Sequence, residues 1–440
     1  MVGAIALSSA LLFCVTTRAQ SGSPQNGDDL YWIGNNTQSW TDPALIWYDE
    51  GAGSSNPVQG PVSISNATSN TYGFFFIGNN SSGGTTYGTV APTGMGFSQT
   101  LYANYISFLD GFNSTNTTTI GRTVNDSLAN PLNMESGWEI ADRGVGGTVT
   151  FQQYAPGVTP STFGGMYINL DASGSIVAVT GSNVVINTNV TGSGGLTIDK
   201  PPTDNGAGGT VTLQVNNNNG NEYTGGTTVN AGTLVIANPY SSISSATGTG
   251  PITVNSGGTL AGHGLALGNT TINTGGVLSP GTGSSPGILT VGSNQVGGGL
   301  TIHGTLDINI SGGGTTAGVN YSQVDVLGSL TLDATSARLV VNALNPSALQ
   351  IGQKFDIVLD NGSAPTVGFF SGLPEGSTVT DSAGDTYKIS YLDNGDGGTV
   401  PNDVSLTVES LAVPEPSTVA SFLAGSSLIG LGMFVRRRRS

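Results

Sequence analysis

Ionisable side chains are scarce in this chain of 440 residues, and their spacing limits the chemistry it could perform. The carboxylates best placed for acid–base work are Asp199, Asp204, Glu222, Asp307, Asp325 and Asp333, mostly isolated among turn residues. Only Lys200 and Arg338 accompany them as cations in that stretch. A polysaccharide lyase or hydrolase would need such carboxylates converging beside an Arg or Lys base, and only Asp307, Asp325 and Asp333 could neighbour one another. Solubilising charge on a weakly charged surface is the simpler account of them. His263 and His303 lie 40 residues apart, with no Cys or carboxylate spaced to complete a metal set. Asp393-Asn394-Gly395-Asp396-Gly397-Gly398 has oxygen donors at alternating positions, like half a calcium loop. It lacks the bidentate Glu at the twelfth position and reads as well as a hairpin turn. No Gly-x-Ser-x-Gly phrase sits at a strand-to-helix elbow. The expectation is therefore no catalytic residue, no cofactor and no bound metal.

The composition points to scaffolding. There are 69 glycines, only 9% charged residues, and 27 acids against 11 Lys and Arg, for a formal net charge of −16. Five of the cations are terminal, Arg18 and Arg436, Arg437, Arg438 and Arg439. All the acids lie between them with only six cations, leaving the middle of the chain at −21. Nucleic-acid binding is excluded, because it needs a basic stripe to displace counterions. Long helices are disfavoured, since each glycine costs about 1 kcal/mol relative to Ala. The glycines have no period of three, which excludes collagen. At 37% hydrophobic, with short alternating Val, Ile, Leu and Thr runs, the chain also departs from disordered composition. A Gly-rich all-β protein remains.

Those elements recur. Gly209-Thr210-Val211, Gly232-Thr233-Leu234, Gly258-Thr259-Leu260, Gly276-Val277-Leu278, Gly304-Thr305-Leu306 and Gly328-Ser329-Leu330 repeat one phrase. Companion runs are Thr227-Thr228-Val229, Ile252-Thr253-Val254, Thr270-Thr271-Ile272 and Leu300-Thr301-Ile302. Turn residues separate them, so the spacing predicts a solenoid whose rungs bury a shared apolar column and whose glycines are corners. The stretch Asn221-Glu222-Tyr223-Thr224-Gly225-Gly226-Thr227-Thr228-Val229-Asn230-Ala231-Gly232-Thr233-Leu234 resembles the autotransporter-associated β-strand repeat. Tyr223, Gly225, Gly226, Thr227, Val229, Gly232, Thr233 and Leu234 carry that signature. Tyr321-Ser322-Gln323-Val324-Asp325-Val326 and Ile389-Ser390-Tyr391 are similar to the stretch that caps such passengers. The resemblance implies a right-handed parallel β-helix on an exported or surface protein. No run after Val408 is long enough for the membrane barrel of an autotransporter.

The two ends read as targeting segments. Residues 1–19 suit a signal peptide, and its removal would take Cys14, the chain's single cysteine. Val413-Pro414-Glu415-Pro416 precedes an apolar run over 417–435, then Arg436, Arg437, Arg438 and Arg439. As a helix that run spans ~28 Å, about one hydrocarbon core, with the arginines expected on the cytoplasmic side. The order resembles the PEP-CTERM sorting signal, which implies an inner-membrane intermediate cut by an exosortase-type protease. The domain reading is a signal peptide over 1–19, a Trp- and Phe-containing β region over 20–163, β-helix repeats over 164–343, a C-terminal β cap over 344–412 and the sorting segment over 413–440. Trp32, Trp40 and Trp47 are expected to plug the open N-terminal end of the helix, or alternatively to form a sugar-stacking platform. The function expected is an exported, non-catalytic surface or matrix protein, associated with extracellular polysaccharide; a polysaccharide-acting enzyme and a carbohydrate-binding protein are the alternatives.

Overall fold

A computed structural model describes residues 165–412 apart from 215–219, 238–244, 293–298, 396 and 399. Before them it describes 29–32, 47–49, 57–58, 72–76, 95–97, 101–108, 117–122, 129–142 and 147–154. The regular elements of the described chain are all β-strands apart from one 3-10 turn at Pro346–Ala348. Most strands are short, and most pair in parallel with strands of the neighbouring rungs. Three ladders result, here called faces A, B and C, in an arrangement consistent with a solenoid.

Face A shows why the rungs stack in register. Ile140, Ile176, Ile198, Val229, Val254, Ile272, Ile302 and Leu332 pair in succession and all point inward, essentially inaccessible to solvent. Slipping one strand by a residue would expose its apolar side chains and bury its threonine. Face B carries the matching column Val149, Val184, Val211, Leu234, Leu260, Leu278 and Leu306. One rung offers only a few such side chains, so burial depends on its neighbours.

Face C closes the third side. Gly258–Leu267 begins on face B, where Leu260 pairs with Leu278, and ends on face C, where Leu265 pairs with Thr290. It turns at Gly262, whose φ of 111° favours glycine. A Cβ there would collide with the Ile236 carbonyl oxygen of the rung before. Face C then continues through Ile288–Gly292, Gln323–Leu327 and Lys354–Asp360.

Two features differ from the sequence expectation. Gly328-Ser329-Leu330 was aligned with Gly304-Thr305-Leu306, but Ser329–Leu332 pairs with Gly299–Ile302 on face A. The face B partner of Thr305–Ile310 is Arg338–Ala343. Both faces use the same small-residue, hydroxyl, leucine alternation, so the phrase alone does not identify its face. Parallel stacking also begins well before residue 164. Tyr72–Phe76, Leu101–Phe108, Ala129–Asp142 and Gly174–Ala178 are successive face A strands.

Both ends of the described stack turn antiparallel. Asp29–Trp32 pairs in parallel with Tyr72–Phe76 and antiparallel with Trp47–Asp49, which pairs with Pro57–Val58. At the other end Lys354–Asp360 pairs antiparallel with Asp403–Ser410, which pairs with Thr386–Asp393 and then Thr378–Thr380. Phe355 fills the core there, its ring centroid 5.3 Å from Tyr321 and 6.5 Å from Tyr387. Such strands cover a parallel edge that would otherwise recruit another chain.

Candidate functional site

The repeat signature is structural at the atomic level. Tyr223 is fully buried, and its hydroxyl lies 2.5 Å from Thr227 Oγ1. Burial pushes that phenol far above its ordinary pKa, so it stays protonated. Gly225 lies against the backbone of Gly194, where a Cβ would collide, and Gly226 has a φ of 85°. Thr227 and Val229 pair with Ile252 and Val254 on face A, while Gly232, Thr233 and Leu234 pair with Gly258, Thr259 and Leu260 on face B. Asn221, beside the signature, bridges rungs. Its Oδ1 accepts from the Val190 N–H at 2.8 Å and its Nδ2 donates to the Ala246 carbonyl at 2.7 Å.

The outward face A positions form two columns. Thr197, Thr228, Thr253, Thr271, Thr301 and Thr331 align, all half-buried. Two residues on from each threonine stand Asp199, Asn230, Asn255, Asn273, His303 and Asp333. Asn273 Nδ2 donates to Asn255 Oδ1 and Asn255 Nδ2 to Asn230 Oδ1, both at 2.8 Å. Asn230 Nδ2 donates to Asp199 Oδ2 at 3.2 Å. His303 Nδ1 and Asp333 Oδ2 meet at 2.9 Å further along. The hydroxyl and N–H of Thr335, then His303, hold the Asp333 carboxyl well below the usual carboxylate range. The repeated Thr-apolar-Asx/His phrase was present in the sequence, but the apolar periodicity used to find strands gives outward residues no weight.

The catalytic alternative required convergent carboxylates, and the described structure separates them. Asp307 lies on face B and accepts from Asn342 Nδ2 at 2.5 Å. Asp325 lies on face C and accepts from Thr290 Oγ1 and Asn361 Nδ2. Asp333 sits at the corner after a face A strand. Asp204 caps a turn by accepting from the Thr180 N–H and hydroxyl at 2.8 Å. His263 is an exposed residue in the face B–C strand, Arg338 opens a face B strand, and Glu222 is exposed just before the signature. No group of three or more metal-ligating side chains occurs among the described residues.

Asp393 opens the turn that resembles half a calcium loop. It receives Lys354 Nζ and Ser405 Oγ, each at 2.7 Å, and Asn394 Nδ2 donates to the Gly398 carbonyl at 2.8 Å. Burial pushes the Asp393 carboxyl up, but these bonds and that of the Asn394 N–H bring it below its ordinary value. Trp138 is 2% exposed, with Nε1 donating to the Ala172 carbonyl at 2.7 Å, so it serves the core. Trp32 pairs with Trp47 through the backbone. Trp40 lies outside the described residues.

The cap fixes the point where the chain leaves the β structure. Asp385 is buried beside Asp381, whose Oδ2 accepts from the Tyr387 hydroxyl at 2.8 Å. Burial and the two adjacent acids raise the Tyr387 pKa far above normal. Asp385 Oδ1 accepts from the Ala412 N–H at 2.6 Å. Pro414, Glu415, Pro416, the apolar run over 417–435 and Arg436, Arg437, Arg438 and Arg439 begin two residues beyond and lie outside the described residues, as do residues 1–19, where a signal peptide is expected. Among the described residues no helix is long and apolar enough to cross a membrane.

Residues 412–439 match the family described as the PEP-CTERM protein-sorting motif, so the chain carries a signal for exosortase processing and export toward the cell surface. A curated protein named "Adhesin BmaC autotransporter", from Brucella suis biovar 1 (strain 1330), is 33% identical over 147 residues. The match covers 27% of this chain and 4% of that protein, so the chain spans only a small part of the relative's length. No solved structure matches.

Proposed function

We propose that this protein is an exported bacterial cell-surface or matrix-associated protein with a structural or adhesive role and no catalysis. In this reading the stack is a right-handed parallel β-helix, the usual hand for parallel crossovers. The 417–435 helix holds an inner-membrane intermediate and the four arginines remain cytoplasmic until an exosortase-type protease removes the tail. The carrying observation is the sorting-motif match at 412–439, which starts at the residue Asp385 fastens to the cap. The likeness to an adhesin fragment favours an extended surface display of repeats over an enzyme. The acidic outer surface resists self-association and leaves neutral polymers as the compatible neighbours.

Replacing Pro414, Glu415 and Pro416 by alanine tests the sorting step. The variant should accumulate uncleaved in the inner membrane while the wild-type ectodomain is released or surface-bound. Equal processing of the two would overturn the role given to the motif. Purified ectodomain is also expected to release neither reducing nor unsaturated sugars from neutral and acidic polysaccharides; turnover abolished by Asp307→Asn or Asp325→Asn would establish the enzymatic alternative.

A further inference from the structure

We propose that a groove on face A, at the N-terminal end of the threonine column, binds an uncharged polysaccharide chain laid along the stacking axis. This locates the polymer contact of the surface-protein reading and rests on that reading. The groove has a volume of about 440 Å³, and Glu139, Ser175, Thr197, Asp199 and Lys200 line it. Strand register places Glu139, Ser175 and Thr197 on successive rungs, about 4.8 Å apart. Tyr105, outside the groove lining, pairs with Glu139 on the other side and is likewise half-buried. The row therefore runs from an aromatic ring through a carboxylate to two hydroxyls. A ring covers the apolar face of a sugar, a carboxylate accepts from neighbouring sugar hydroxyls, and a Ser or Thr hydroxyl both donates and accepts.

Two of the lining side chains, Asp199 and Lys200, are already held in place. Asp199 accepts from the Lys200 N–H at 2.8 Å and from Asn230 Nδ2 at 3.2 Å. Lys200 Nζ donates to the carbonyls of Asp204 and Gly206 at 3.0 and 2.5 Å. A preorganised lining loses little side-chain entropy when it binds.

The same geometry selects among ligands. Among the described lining residues the one cation, Lys200, is tied to backbone carbonyls, and two carboxylates share the walls on a chain of net charge −16. An acidic polysaccharide or a nucleic acid would bring its own negative charge beside these carboxylates. An extended peptide recognised by strand addition needs an unpaired sheet edge, whereas Gly174–Ala178 is paired on both sides. Thr228, Thr253, Thr271, Thr301 and Thr331 extend the row as an uncharged track, and repeated weak contacts along one polymer add through effective concentration.

Electrophoresis of the full chain, in mild detergent, through gels containing neutral glucan, galactomannan or alginate tests this. At least one neutral polymer should retard the protein and alginate should not. Ser175→Arg fills the groove from an outward position and should weaken the retardation at least ~10-fold. Glu139→Gln, nearly isosteric, should weaken it severalfold while keeping the β-sheet circular dichroism of the wild type. Val235→Arg, on face B, should leave it unchanged. Equal behaviour of Ser175→Arg and Val235→Arg, retardation by alginate alone, or none by any neutral polymer would overturn the assignment. A wild-type protein found at the cell surface without such retardation refutes the groove and leaves the sorting reading standing. A cytoplasmic protein refutes the sorting reading whatever the gels show.

Discussion

Asn255 is the middle of a chain of amide bonds, donating to Asn230 and accepting from Asn273. Each such bond contributes about 0.5–1.5 kcal/mol net, so Asn255→Ala should cost ~1–2 kcal/mol, read as a lower urea midpoint at unchanged slope. An unchanged midpoint would mean that the column is decorative. Asp307 offers a test through pH. Burial raises its carboxyl pKa above normal, while the bond from Asn342 pulls it back only in part. Its folded form holds a proton at higher pH than the unfolded chain, so the group opposes folding at neutral pH. That cost falls as the pH drops through the folded value toward the unfolded one, about 3.9. Asp307→Asn keeps an acceptor for Asn342 without the charge. The variant should melt above wild type at about pH 7, with the gap closing as the pH approaches about 4. A variant that melts lower at neutral pH, or a gap independent of pH, would contradict the burial argument. Asp333 has the opposite sign: its depressed pKa favours the fold above the unfolded value and the benefit is lost as pH falls through the folded one.

At the scale of strands, inward and outward positions should respond very differently. Ile272 is inaccessible and pairs with Val254 and Ile302, so Ile272→Ala should cost about 2–5 kcal/mol. Thr271→Val, its outward neighbour, should stay within about 0.5 kcal/mol in the same urea titration. Similar losses from both would mean that the register is wrong. Alternation made this part of the fold legible: the runs at Thr227, Ile252, Thr270 and Leu300 are the face A strands that pair with one another. Less legible was which face a phrase belongs to, because Ser329-Leu330 and Thr305-Leu306 look alike on different sides. The stacking before residue 164 was hidden because strands such as Leu101–Phe108 and Ala129–Asp142 share no phrase with the later rungs. The groove was hidden for a different reason. Glu139, Ser175 and Thr197 lie in three separate strands, and only the register makes them neighbours.

The whole molecule divides its charge by role. The middle of the chain carries all the acids and a few cations, while four arginines close the sorting segment. Between them, Asp385 fastens Ala412 to an antiparallel cap that ends the stack. On the proposed function the β structure is displayed outside the cell and the tail is a transit device, discarded at the membrane. Intact-mass analysis of the protein recovered from separated cytoplasmic, inner-membrane and surface fractions tests that claim most directly. The account predicts that the bulk of the protein is exported and lacks the segment that follows the cap, with a minor membrane-bound species that retains it. A cytoplasmic pool of full-length chain still ending in Arg436, Arg437, Arg438, Arg439 and Ser440 would contradict it.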